Sequence, residues 1–132
     1  MIDPETLEYI VSLASHAPEI TSIWLYGSRA NGNSSSASDW DFLVFGSELT
    51  LAWLTAERRF HCLNTDLLVV TDMEHFRNAW GNKAKSGSLT DWEWKEESAL
   101  GAKYTESKWV QTEEQADIVS RPRIAIKVWP IT

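Results

Sequence analysis

A single cysteine, Cys62, stands among the 132 residues, so no internal disulfide can brace the fold, and a reducing compartment is the expected setting. Long apolar runs are missing as well. Nothing approaches the roughly 18 residues of a membrane-spanning helix, and Asp3 and Glu5 stand where a secretory leader would be basic, so a cytoplasmic location is expected. Basic residues are scarce: 12 Lys and Arg against 19 Asp and Glu leave a formal net charge of −7. So acidic a chain does not attract nucleic acid, and a polyanionic ligand would need a metal ion or a local basic patch to be held. His16, His61 and His75 have no partner at zinc-ligand spacing, which argues against a zinc site. Repeats are absent, and the only biased segment is a short serine run.

Tryptophan, by contrast, is abundant. There are eight, and Trp80, Trp92, Trp94, Trp109 and Trp129 fall in the C-terminal half, as bulk for a thin core. The length suits one domain, with a core over about residues 3–80 and a strand-rich extension over about 88–132.

Residues 3–16 read as a helix, capped by Asp3, opened by Pro4 and Glu5, with Leu7, Ile10, Val11 and Ala14 at helical spacing. Residues 22–26 form an apolar run that ends at Gly27, the Asn, Gly and Ser of 29–38 make a loop, and 39–45 form a second strand bounded by Gly46. An amphipathic helix follows over 47–60, with Arg58 and Arg59 near its end. Then come a third strand at 66–70 and a short helix carrying Phe76 and Trp80, opened by the capping-box pair Thr71 and Glu74. This alternation predicts a small α/β sandwich, an α+β fold with a mixed sheet and helices on one side. Residues 83–88 read as a polar linker. Residues 92–95, 103–110 and 123–129 alternate like strands, at the sheet edge or in a small second layer.

The chemistry gathers around one loop. Gly27-Ser28 closes the first strand and Asp39-Trp40-Asp41 opens the second. Side chains two apart on a strand share a face, with α-carbons roughly 6–7 Å apart. Two such carboxylates repel unless a cation sits between them, and Mg²⁺ takes one or two carboxylates together with phosphate oxygens. Asp66 opens the third strand and can reach the same place. Taken singly, each element has a plainer reading: a solvated turn for Asp39 and Asp41, a strand terminator for Gly27-Ser28, a strand entry for Asp66.

Together they match a family. Tyr26-Gly27-Ser28-Arg29-Ala30, ten residues from Gly-Ser to Asp39-x-Asp41, and a third aspartate within Asp66-Leu67-Leu68-Val69-Val70 resemble the polymerase-β-type nucleotidyltransferases, above all the minimal nucleotidyltransferases, over about residues 20–72. The resemblance implies that Asp39 and Asp41 hold Mg²⁺. It further implies that Gly27 and Ser28 hold the β- and γ-phosphates through an amide and a hydroxyl, with Arg29 assisting. Asp66 is then the third carboxylate, aiding a metal or serving as the base. The implied reaction moves a nucleoside monophosphate, AMP from ATP, to a hydroxyl of a protein or small molecule. Minimal nucleotidyltransferases are similar to antitoxins that pair with a HEPN-type toxin, so such a partner is an expectation from the family. The competing class is a non-catalytic nucleotide- or partner-binding module on the same fold.

Other cations stay open at this point. Arg58, Arg59, Lys83 and Lys85 suit either phosphate or a solvated surface, and Arg121, Arg123 and Lys127 either a partner-binding edge or a charged guard on an exposed strand. The residues from Trp92 onward match no motif of the family.

Overall fold

The computed structural model describes residues 2–131 apart from 33, 36, 63, 82 and 112–115. Its centre is three short strands whose side chains are apolar on both faces: β1 (Ser22–Tyr26), β2 (Trp40–Phe45) and β3 (Thr65–Val70). β1 runs antiparallel to β2, from Ser22 opposite Phe45 to Tyr26 opposite Asp41. β2 and β3 are parallel, with Trp40 opposite Thr65 and Phe45 opposite Val70. A parallel pair needs a crossover, supplied by α2 (Glu48–Ala56) and a 3₁₀ turn (Arg58–Phe60). Ahead of them lies α1 (Pro4–His16), where the Asp3 carboxylate accepts a hydrogen bond from the Thr6 amide at 2.7 Å, as the sequence predicts.

Alternation along the central strands builds two cores. Ile23, Leu25, Phe42, Val44, Leu67 and Val69 meet Ile10 and Leu13 of α1 and Leu54 of α2, so both helices cover one face. Trp24, Leu43, Phe45, Leu68 and Val70 point to the other face, which no helix among the described residues covers. There the cover is the chain around Leu89, Trp92 and Trp94, with Tyr104. Trp24 is 1% exposed and meets Trp94 edge-on at 5.4 Å. Trp24→Ala is therefore expected to destabilise the fold by about 3–5 kcal/mol in urea unfolding, and a loss under 1 kcal/mol would mean that this second core is loosely packed. Trp80 and Trp129 pack against the helix-side core, and the side chain of Trp109 lies outside the described residues.

Sequence and structure part after residue 70. The predicted helix carrying Phe76 and Trp80 is instead a strand, β4 (His75–Asn78), antiparallel to β3. Asp72 is the reason. Its carboxylate accepts from the amides of Glu74 at 3.1 Å and His75 at 2.6 Å, so the residues expected to cap a helix close a turn. Phe76 then falls into the second core. Within the expected linker, β5 (Ser86–Ser88) pairs with β4, and Gly87 leaves room for the Phe76 ring, which a β-carbon would approach to 2.7 Å. Residues expected to form a strand at 92–95 are mostly turn, followed by the two-residue β6 (Lys95–Glu96). The last two predicted strands lie within a long hairpin, β7 (Gly101–Gln111) and β8 (Ala116–Trp129). The second helix is also shorter than predicted, ending at Ala56.

The hairpin is no separate layer. β8 pairs with β1, giving one eight-stranded sheet in the order β5-β4-β3-β2-β1-β8-β7-β6. Among the described residues, no helix is long and apolar enough to cross a membrane.

Candidate active site

Parallel pairing of β2 with β3 sets Asp41 directly opposite Asp66, and Tyr26 lies opposite Asp41 on the other side. Paired residues on neighbouring strands project to the same face. By parity with Leu43 and Leu68, Asp41 and Asp66 belong to the face away from the helices. Asp39, exposed just ahead of β2, joins them, and all three carboxylates line one small cavity of about 260 Å³ with Cys62, Trp80 and Lys85. Asp41 also lines a second cavity of about 640 Å³, bounded by Gly27, Ser28, Trp92, Tyr104 and Arg123 among others. Asp41 is thus the partition between two openings.

Its electrostatics reflect that position. Burial, then the charges of Asp66 and Asp39, push the Asp41 carboxyl up from 3.8 to about 6, while Lys85 pulls the other way. Lys85 Nζ lies 2.8 Å from Asp66 Oδ2. Asn78 positions that lysine: its side-chain oxygen accepts from the Lys85 amide at 2.8 Å, and its nitrogen donates to the carbonyls of Trp80 and Lys83. The hydrogen bond to Asp66 raises the Lys85 pKa, so the ammonium stays charged. Burial raises the Tyr26 hydroxyl well above its usual range, with the Asp41 and Asp66 charges adding to it, so Tyr26 is neutral.

Gly27 has a positive φ of +78°, and a β-carbon there would fall 2.5 Å from Asp41 Oδ2. Glycine is therefore required both by the backbone and by the carboxylate it must clear. Its amide, expected to meet phosphate, donates to the Tyr104 hydroxyl at 2.9 Å. Ser28 lines the larger cavity beside it. Arg29, expected to assist at phosphate, is engaged within its own loop. Its Nε and Nη2 donate to the Ser38 carbonyl at 3.1 and 2.7 Å, and its guanidinium stacks 4.1 Å above the Trp40 ring. Those contacts make it a brace across the 29–38 loop, outside the lining of both cavities.

The structure thus brings Asp39, Asp41 and Asp66 to one opening and Gly27 and Ser28 to the next. Lys85, which the sequence leaves open between phosphate and a solvated linker, has Asp66 as its partner. Tyr104 and Arg123 were not legible as site residues, because no local pattern signals a strand pairing that far along the chain.

The family model for Polymerase beta, Nucleotidyltransferase matches residues 8–78, more than half of the chain. The chain belongs to this nucleotidyltransferase family. No curated protein matches it, and no solved structure does. The matched segment of this nucleotidyltransferase domain includes Gly27, Ser28 and all three aspartates, whereas Trp92, Tyr104, Arg121 and Arg123 lie beyond it. Family membership points to nucleotidyl transfer in general, with a nucleotide as the substrate bound.

Proposed function

We propose that this chain transfers AMP from ATP, with Mg²⁺, to a hydroxyl group on a protein. The observation that carries the reading is the register that sets Asp41 opposite Asp66 while Asp41 borders both cavities. The larger one has the volume of a nucleotide site, and the smaller suits a side chain better than a whole small molecule. That difference favours a protein acceptor, and a HEPN-type toxin is the acceptor that resemblance to minimal nucleotidyltransferases suggests.

The donor set fits Mg²⁺. Its side chains are carboxylates, and the raised Asp41 carboxyl marks negative charge that lacks full compensation. Among the described residues, no group of three or more His, Cys, Asp or Glu is placed to hold a metal ion. Mg²⁺ does not need one, since it keeps waters and substrate phosphates beside one or two carboxylates. Asp39 and Asp41 would hold the ion, with Asp66 as third carboxylate. Bound there, it would neutralise charge on the phosphates.

The residues then divide the work. Gly27 and Ser28 border the space for the triphosphate. The acceptor hydroxyl enters from the Asp66 side, and its oxygen forms a bond to the α-phosphorus. The bond from that phosphorus to the bridging oxygen breaks, and pyrophosphate leaves with the electron pair. Asp66 takes the hydroxyl proton on Oδ1, because Oδ2 is held by Lys85.

Two contacts favour the non-catalytic alternative: the Tyr104 hydroxyl occupies the Gly27 amide, and Lys85 occupies Asp66. Incubation with Mg²⁺ and α-labelled ATP, with and without a candidate protein acceptor, separates the readings. Transfer of label with release of pyrophosphate, lost in Asp66→Asn, is expected. Metal-dependent ATP binding without transfer to any acceptor offered would support the binding module instead.

A further inference from the structure

We infer that the β7–β8 hairpin, outside the family-matched segment, forms a polyphosphate-binding wall: Arg121 and Arg123 receive the phosphate tail of the nucleoside triphosphate beside Gly27 and Ser28. The inference deepens the proposed function and rests on that reading for the identity of the ligand.

Three observations carry it. First, the charge is set for an anion. Arg121 Nη2 and Arg123 Nε both lie 3.1 Å from the same oxygen, Glu106 Oε2. Two guanidiniums sharing one carboxylate leave an excess of positive charge, in a chain that is otherwise strongly acidic. Second, Arg123 is built in. Its side chain is only 9% exposed, it lines the cavity of about 640 Å³, and its Nε, though near Glu106, is buried and not aligned for a hydrogen bond. A buried guanidinium without full pairing is costly, and a ligand phosphate offers the planar, bidentate partner that it lacks.

Third, the wall is tied to the glycine turn. Asn31 Nδ2 donates to the carbonyls of Gly27 at 2.7 Å and Ile124 at 3.0 Å, while its side-chain oxygen accepts from the Ile124 amide at 2.8 Å. Tyr104, opposite Arg123 in the hairpin, places its hydroxyl oxygen on the Gly27 amide. Other acids line the same cavity, but Asp41 is assigned to the cation and Asp91 is exposed to solvent.

The test is calorimetric titration of the full chain with inorganic pyrophosphate in the presence of Mg²⁺. Arg121→Gln is the main variant, because Arg121 is half-exposed and its loss spares the core. Arg123→Lys keeps the charge but removes the fork. Lys103→Gln is the control: it removes a charge from the same hairpin at a residue outside the cavity lining. Wild type is expected to bind pyrophosphate. Arg121→Gln should weaken binding about tenfold or more, as loss of a charge-assisted phosphate contact does, Arg123→Lys should also weaken it, and Lys103→Gln should leave it within about twofold. No pyrophosphate binding, or equal weakening in Arg121→Gln and Lys103→Gln, overturns the inference. Failure here is separable from failure of the proposed function. Arginine-dependent pyrophosphate binding in a chain that transfers nothing keeps the wall and removes the transferase, whereas transfer with an unchanged KM for ATP in Arg121→Gln does the reverse.

Discussion

Asp41→Asn is expected to abolish nucleotidyl transfer and, in chelator at pH 7, to make the protein more stable than wild type. Both effects come from one carboxylate held in an unfavourable place. Burial and the neighbouring Asp66 and Asp39 raise its folded-state pKa from 3.8 to about 6. Because the folded value lies above the unfolded one, the native state binds more protons between about pH 4 and pH 6. Stability from this group therefore falls as pH rises through that window, and the penalty is complete above it. Asparagine has the same shape and no charge. The substitution should return on the order of 1–3 kcal/mol at pH 7, visible as a rise in Tm of about 3 °C or more, and the variant's stability should change less than wild type's between pH 4 and pH 6. Activity should fall at least ~10³-fold, since the residue bordering both cavities no longer supplies the charge that a cation and a transferring phosphoryl group require. Wild-type activity in the variant would mean that Asp41 is no part of the chemistry, and a Tm lower at pH 7 than wild type's would mean that it is not held against like charge.

Gly27→Ala should give the second large effect, and its comparison with Gly32→Ala isolates the cause. Both glycines have φ near +77°, at +78° and +76°, so both substitutions carry the same left-handed backbone strain, roughly 1 kcal/mol. Only at residue 27 does the new methyl meet anything: Asp41 Oδ2 at 2.5 Å, against open space at residue 32. The Asp41 carboxylate must move away. Displacement of a group at the reacting centre by about 1 Å is worth on the order of 10²-fold in rate. The expectation is therefore similar unfolding free energies for the two variants, with a loss of transfer of about 10²-fold in Gly27→Ala alone. Equal activities would show that the clearance between the turn and Asp41 does not matter for the reaction.

How far the chain could be read in advance follows from the range of the forces involved. Asp3 and Pro4 open α1 as expected because a cap acts over three residues, and the runs 22–26 and 66–70 become strands because a short continuous apolar run is written in adjacent positions. The Gly-Ser and Asp-x-Asp spacing was legible for the same reason, and the family match covers it. Reading failed where two local signals competed. Thr71 and Glu74 favour a helix start, but Asp72 closes a turn with the next amides, and β3 offers the following residues a strand partner. Nor does anything local say that Trp40 and the Ser38 carbonyl will engage the Arg29 guanidinium.

Residue order alone determined where the acids fall: three aspartates at strand entries, a glycine bend before them, and too few basic residues elsewhere to attract polyanions at large. Only the folded sheet settled their surroundings. It turned Asp41 and Asp66 toward the tryptophan-covered face, set Lys85 on Asp66 across 19 residues, and joined Tyr104 to Gly27 across 77. Caps, turns and alternation act between residues a few positions apart and so can be read along the chain. The partner of a buried charge depends on strand register and on which surface is left uncovered, and those emerge only when distant segments pack together.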